Sequence, residues 1–222
     1  MTAIKTIVDR AAKRVGGAKA LEAELITPHG ADELRAMADD RYLSLMSLRI
    51  FRAGLKHSMV DARWPAFEEV FHGFAPRRVW SMNDEDLERL MGEKRIIRHW
   101  GKIKAVRENA AAMVTVLDEA GSFGAYLADW PGDDIMGLWN DLAKRFSQMG
   151  GNSGPYFLRM AGKDTFMLTG DVISALVKAK VVKKKPTTKD ARTAIQAAFN
   201  GWAAETSRPL CQLSRILALS VG

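Results

Sequence analysis

Between Asp134 and Asp171 the order of residue types leaves few folds open. Ile135, Leu138, Trp139, Leu142 and Phe146 recur at helical spacing. Gly150-Gly151-Asn152-Ser153-Gly154 then interrupts the pattern, and an apolar segment from Pro155 to Ala161 resumes it. Asp171 stands just ahead of another apolar run, Val172 to Val177. The stretch reads as helix, tight glycine turn, helix, loop, acid, helix.

Glycine permits positive φ and lets another backbone approach closely. Pro155 suits the first turn of a helix, where its missing N–H is not needed. The free N–H groups of such a turn can face an anion, a DNA phosphate among the candidates. A carboxylate fixed beside the same strand would suit chemistry on a nucleotide. A plain reading stands next to this one: glycine-rich helix–helix turns are common, and Asp171 can be the N-cap of the following helix. Both hold together, because a capping acid is rigidly placed.

The rest of the chain also reads as helical, with no strand pattern and no internal repeat. Residues 1–30 carry an amphipathic helix interrupted at Gly16-Gly17 and read as an N-terminal extension; residues 31–222 read as the main domain. Arg41 to Val60 is dense in Leu, Met, Ile and Phe and is expected to form a helix buried on most sides. Trp64 to Phe74 forms another that Pro76 ends, and Asn83 or Ser81 caps a short one. The lysine run from Lys178 to Lys185 is a solvated helix end or a DNA-backbone contact. Ser207 and Pro209 are expected to start the last helix.

The 222 residues are 47% hydrophobic and 27% charged, enough to bury a sizeable core. The net charge of +7 gives a modest push toward a polyanionic partner. Cys211 is the single cysteine, so an intrachain disulfide, a CxxC zinc site and a four-cysteine iron–sulfur cluster are excluded. His29, His57, His72 and His99 are scattered without metal-binding spacing, and no metal site is expected. No signal peptide is visible and no apolar run nears the ~20 residues needed to span a bilayer. A cytoplasmic, nucleoid-associated protein is expected, with a monomer as the default.

The stretch from the glycine turn to Asp171 resembles the helix-hairpin-helix signature of base-excision DNA glycosylases. Leu55–Pro76 and Ile96–Ala110 are similar to the 3-methyladenine DNA glycosylase I family, and the likeness covers roughly Leu43 to Met113. The resemblance implies an all-α helix-hairpin-helix fold with two helical lobes flanking a DNA-binding cleft. It implies that Gly150, Gly151, Asn152, Ser153 and Gly154 grip the DNA backbone and that Asp171 is the catalytic acid. Ser153 falls where bifunctional relatives carry a nucleophilic lysine, which implies a monofunctional enzyme.

The implied activity is hydrolysis of the N-glycosidic bond of an alkylated purine such as 3-methyladenine in duplex DNA. Asp171 would stabilise the sugar cation and orient water. No cofactor is implied beyond a hairpin-bound monovalent cation. Arg49, His57, Trp64 and Tyr156 are base-pocket candidates, with core packing as the competing fate. Arg98, His99 and Lys102 are DNA-contact candidates, or a solvated face with His99 packed locally. The chain departs from the family in three ways: its zinc ligands have no counterparts, Arg49 falls near its base-recognising glutamate, and His57 near its pocket tryptophan. A non-catalytic helix-hairpin-helix DNA-binding protein is the alternative.

Overall fold

The computed structural model describes residues 2–221, and no strand occurs among them. The chain opens with α1 (Ile4–Val15) and α2 (Ala18–Ala23), followed by α3 (Ala31–Ala36), α4 (Asp39–Arg52), α5 (His57–Asp61) and α6 (Trp64–Val70). A 3-10 turn, His72–Phe74, leads to α7 (Pro76–Trp80), α8 (Asp84–Gly92), α9 (Trp100–Ala120) and α10 (Phe123–Asp129). Next come α11 (Ile135–Arg145), α12 (Ser153–Met160), α13 (Gly170–Lys178), α14 (Lys189–Thr206) and α15 (Leu210–Leu219). None of these helices is long and apolar enough to cross a membrane.

The helices fall into two compact units. One comprises His29–Trp130 and Leu138–Lys163. Its centre is α4 against α9: Leu43, Met46, Ile50 and Phe51 are buried on the first, Ile103, Val106, Ala110 and Met113 on the second. Phe51, Phe67, Phe71 and Phe74 build an aromatic cluster beside them. Buried Tyr42 donates its hydroxyl to the Leu34 carbonyl at 2.7 Å, fixing α4 to the end of α3. Gly124 on α10 is a close-approach glycine, since any Cβ there would collide with the Leu34 backbone.

The other unit comprises the N-terminal segment to Pro28, Pro131–Gly137 and the C-terminal segment from Asp164. In it α1 and α13 pack on α15. Phe166 stacks on Phe199 with ring centroids 4.1 Å apart, and Trp202 meets Phe199 edge-on. The compact units therefore cut the chain differently from a boundary at residue 30, because α1 finds its apolar partners at the far end of the chain.

Local expectations shift in physical detail. The apolar run 41–60 is two helices: α4 stops where Gly54 adopts φ +77°, and α5 starts at His57. Pro76 opens α7 rather than only ending the element before it, as its locked φ allows. Asn83 is the cap of α8, in a reciprocal box with Asp86: the Asp86 N–H donates to its side chain at 2.8 Å and its own N–H to Asp86 at 2.9 Å. Ser207 does not start α15. It ends α14 at φ +54°, and the cap of α15 comes from far away, Asp164 accepting the N–H groups of Leu210 and Cys211 at 2.9 and 2.8 Å.

Candidate functional site

The hairpin is built as its sequence suggests. After α11 the chain turns through Gln148 at φ +61° and Gly151 at φ +59°. Ser153 N–H donates to the Gly150 carbonyl and Gly154 N–H to the Met149 carbonyl, each at 3.1 Å. Gly154 is buried in the first turn of α12, where a Cβ would press on the Met149 carbonyl at 3.1 Å. Pro155 sits one residue on, still within that turn. Gly150, Gly151 and Asn152 are exposed, and their N–H groups make no hydrogen bond among the described residues. Three adjacent free N–H groups on an exposed turn form an anion-accepting face.

Two anchors hold this turn against α9. The Asn109 side chain donates to the Ser147 carbonyl at 3.1 Å and accepts the Ser147 N–H at 2.6 Å. Gln148 Nε2 donates to the Gly101 carbonyl at 2.7 Å. The start of α9 thus lies beside the hairpin. His99 caps α9, its Nδ1 accepting the Lys102 N–H at 3.3 Å, and Arg98, His99 and Trp100 are exposed there. Trp100 was not among the residues singled out by sequence, although a tryptophan in a basic, polar run carries the signal of a surface contact.

Lys102 corrects its expected role. Its side chain is buried, and Nζ donates to the carbonyls of Phe51 and Ala53 at 3.2 and 2.7 Å. It closes the C-terminal end of α4, where carbonyls lack helical partners, and offers no charge to a phosphate. Burial, and then the nearby Arg49, push its pKa down.

Arg49 and Tyr156 come together. The guanidinium lies over the Tyr156 ring with Cζ 4.7 Å from the centroid. Arg49 Nε is buried without a hydrogen-bond partner, and burial lowers the Arg49 pKa, with Arg52 adding to the effect and Tyr156 opposing it. Tyr156, on the first turn of α12, is 40% exposed. His57 is exposed at the start of α5. Trp64 is set differently: its ring stacks on Phe67 and Phe74 at 4.9 and 5.4 Å, and its indole N–H donates to Ser44 Oγ at 3.0 Å. Packing commits it to the aromatic cluster, so it is not a free wall for a base.

Asp171 belongs to the unit that contains α13. It is exposed in the first turn of that helix and makes no hydrogen bond or ion pair among the described residues. Thr169, not Asp171, is the N-cap, its Oγ1 accepting the Val172 N–H at 3.4 Å. The acid is therefore free of capping duty. Among the described residues no cluster of three or more His, Cys, Asp or Glu side chains could hold a metal ion.

In one curated relative, DNA-3-methyladenine glycosylase 1 of Escherichia coli (strain K12), 61 residues are 43% identical, covering 28% of this chain and 33% of that protein. The chain thus spans about a third of the length of the curated relative it matches. A crystal structure of 3-methyladenine DNA glycosylase I is 25% identical, with a TM-score of 0.50 over 65% of this chain and 86% of that one. A variant of the same enzyme from Staphylococcus aureus is 20% identical, with a TM-score of 0.53 over 82% of this chain and all of that one. These likenesses support the all-α helix-hairpin-helix glycosylase fold. The family model described as methyladenine glycosylase matches residues 33–148, just over half of the 222 residues, and the chain belongs to that family.

Proposed function

We propose that this protein is a monofunctional DNA glycosylase of base excision repair. It hydrolyses the N-glycosidic bond of an alkylated or otherwise damaged purine, with 3-methyladenine the first base to try. The observation that carries this reading is the glycine turn: three free, exposed N–H groups pinned to α9 by Asn109 and Gln148, in a chain of this family. The turn takes the DNA backbone, with Arg98 and His99 as further phosphate contacts.

The target nucleotide must leave the stack before its glycosidic bond is reachable. Breaking that bond leaves an oxocarbenium-like sugar. Exposed Asp171, acting as a carboxylate, stabilises this cation and orients or deprotonates the attacking water. Ser153 supplies no amine, so no Schiff base forms and the product is an abasic site. The partner is duplex DNA, and the protein acts as a cytoplasmic monomer at the nucleoid. It needs no cofactor beyond a monovalent cation in the hairpin.

The test is release of free base from duplexes carrying a panel of purine lesions, with undamaged duplex as control. Release from at least one lesion, with an intact abasic strand left behind, supports the reading. Salt-sensitive DNA binding with no release from any lesion would leave a non-catalytic DNA-binding protein instead.

A further inference from the structure

Arg49 carries a charge that no acidic side chain answers. It forms no ion pair among the described residues, and its buried Nε has no hydrogen-bond partner. The Tyr156 ring is its only described counterpart, 4.7 Å from Cζ. Its cationic neighbours do not help: Lys102 is tied to the carbonyls of Phe51 and Ala53, and Arg52 is paired with Asp61 at 2.7 Å. A buried donor left unpaired in a native fold calls for an explanation, and a ligand is one. The unit also holds the groups to make a ligand site: the anion-accepting turn precedes Tyr156 directly, on the element that Arg49 touches.

The geometry points to Arg49 as the residue that selects the base: with Tyr156 it receives a neutral, carbonyl-bearing damaged purine and disfavours a cationic alkylated one. This inference rests on the glycosylase reading. A guanidinium donates in a planar fork, which matches a ring nitrogen and an adjacent carbonyl oxygen on one purine edge. A base already carrying positive charge meets the Arg49 guanidinium, which has no ion-pair partner among the described residues. Tyr156, 40% exposed, supplies aromatic surface for a flat ligand.

The same charge answers a chemical need. When the C1′–N9 bond breaks, both electrons leave with the base. A cationic base departs neutral. A neutral base departs as an anion, and donors held at its acceptor edge stabilise that charge. The water oxygen then bonds C1′ and one water hydrogen stays on the new hydroxyl; the other proton ends on the base where it left as an anion, and in solvent where it left neutral.

The experiment measures single-turnover base release by the full chain from matched duplexes carrying hypoxanthine or 7-methylguanine, for wild type and Arg49→Gln. Wild type is expected to release hypoxanthine at least tenfold faster. Arg49→Gln is expected to lose roughly 10–100-fold on hypoxanthine and to stay within about threefold on 7-methylguanine. Faster or equal release of 7-methylguanine by wild type, or equal losses on both, overturns the inference. If wild type releases neither base, the lesion panel above decides the glycosylase reading, and affinity for the two duplexes decides the inference separately. A preference for the hypoxanthine duplex that Arg49→Gln abolishes supports it. No preference, or a uniform loss that extends to undamaged DNA, overturns it and makes Arg49 a phosphate contact. Should Arg49→Gln not fold, Arg49→Lys keeps the charge without the fork and is expected to show the same selective loss.

Discussion

Asn109 and Ser147 exchange two hydrogen bonds, side-chain amide to backbone N–H and carbonyl at 2.6 and 3.1 Å, and so join α9 to the entrance of the hairpin. Asn109 is fully buried, so truncation leaves both Ser147 groups without a partner. Asn109→Ala is expected to destabilise the protein by about 2–4 kcal/mol, seen as a lower denaturant midpoint. DNA affinity should fall as well, measured well below the melting transition, because the turn loses its anchor.

The glycines of the turn are not equivalent. Gly151 has φ +59°, whereas Gly150 has no positive φ, and a Cβ meets nothing within 4 Å at either. Gly151→Ala is therefore expected to cost about 1–2 kcal/mol through backbone strain alone, and Gly150→Ala close to nothing. Comparing the two variants by thermal melting isolates conformation from sterics. A matched drop in DNA affinity for Gly151→Ala would tie the strained turn to phosphate binding.

Lys102→Met keeps the aliphatic stem and removes the ammonium. The carbonyls of Phe51 and Ala53 then lose their donor, which should cost on the order of 1–3 kcal/mol in chemical denaturation. Removing the charge also relieves repulsion on Arg49, so the loss should be smaller than for Lys102→Ala, which forfeits packing too.

Tyr42 makes stability depend on alkaline pH. Burial, with Asp39 adding to it, pushes its pKa up to about 12 from an ordinary value of 10.0. The unfolded chain therefore gives up this proton at lower pH than the folded one. The contribution is complete below pH 10 and is lost as pH rises toward 12, removing roughly 2–3 kcal/mol. Tyr42→Phe should start less stable by about 1 kcal/mol, having lost the bond to Leu34. Its stability should then fall less steeply above pH 10 in urea titrations.

The hairpin was legible in the sequence because its signals are local: helical periodicity, a glycine cluster and an early proline. The cap at Asn83 was legible for the same reason. Lys102 was misread as a surface cation because it sits in a basic run, yet it shares the buried stripe of Ile103, Val106, Asn109 and Ala110, and that spacing was the available clue. The capping of α15 by Asp164 and the seating of α1 on α15 depend on residues far apart in the chain, where periodicity carries no information. The break at Gly54 was hidden inside a run of apolar residues that, by composition, favours one long helix. The pairing of Arg49 with Tyr156 likewise joins residues distant in sequence; only their candidacy for one pocket, not their contact, was readable.

The central claim is that the exposed acid at the start of α13 drives base release. Single-turnover excision from duplexes carrying alkylated and otherwise damaged purines, 3-methyladenine included, should be measured for wild type and Asp171→Asn in parallel, with melting temperature and abasic-DNA affinity as controls. The expected result is release by wild type that falls by at least 100-fold in Asp171→Asn, a transition-state loss of about 3 kcal/mol, with fold and DNA affinity retained. Undiminished release by Asp171→Asn, or no release by wild type from any lesion, would contradict it.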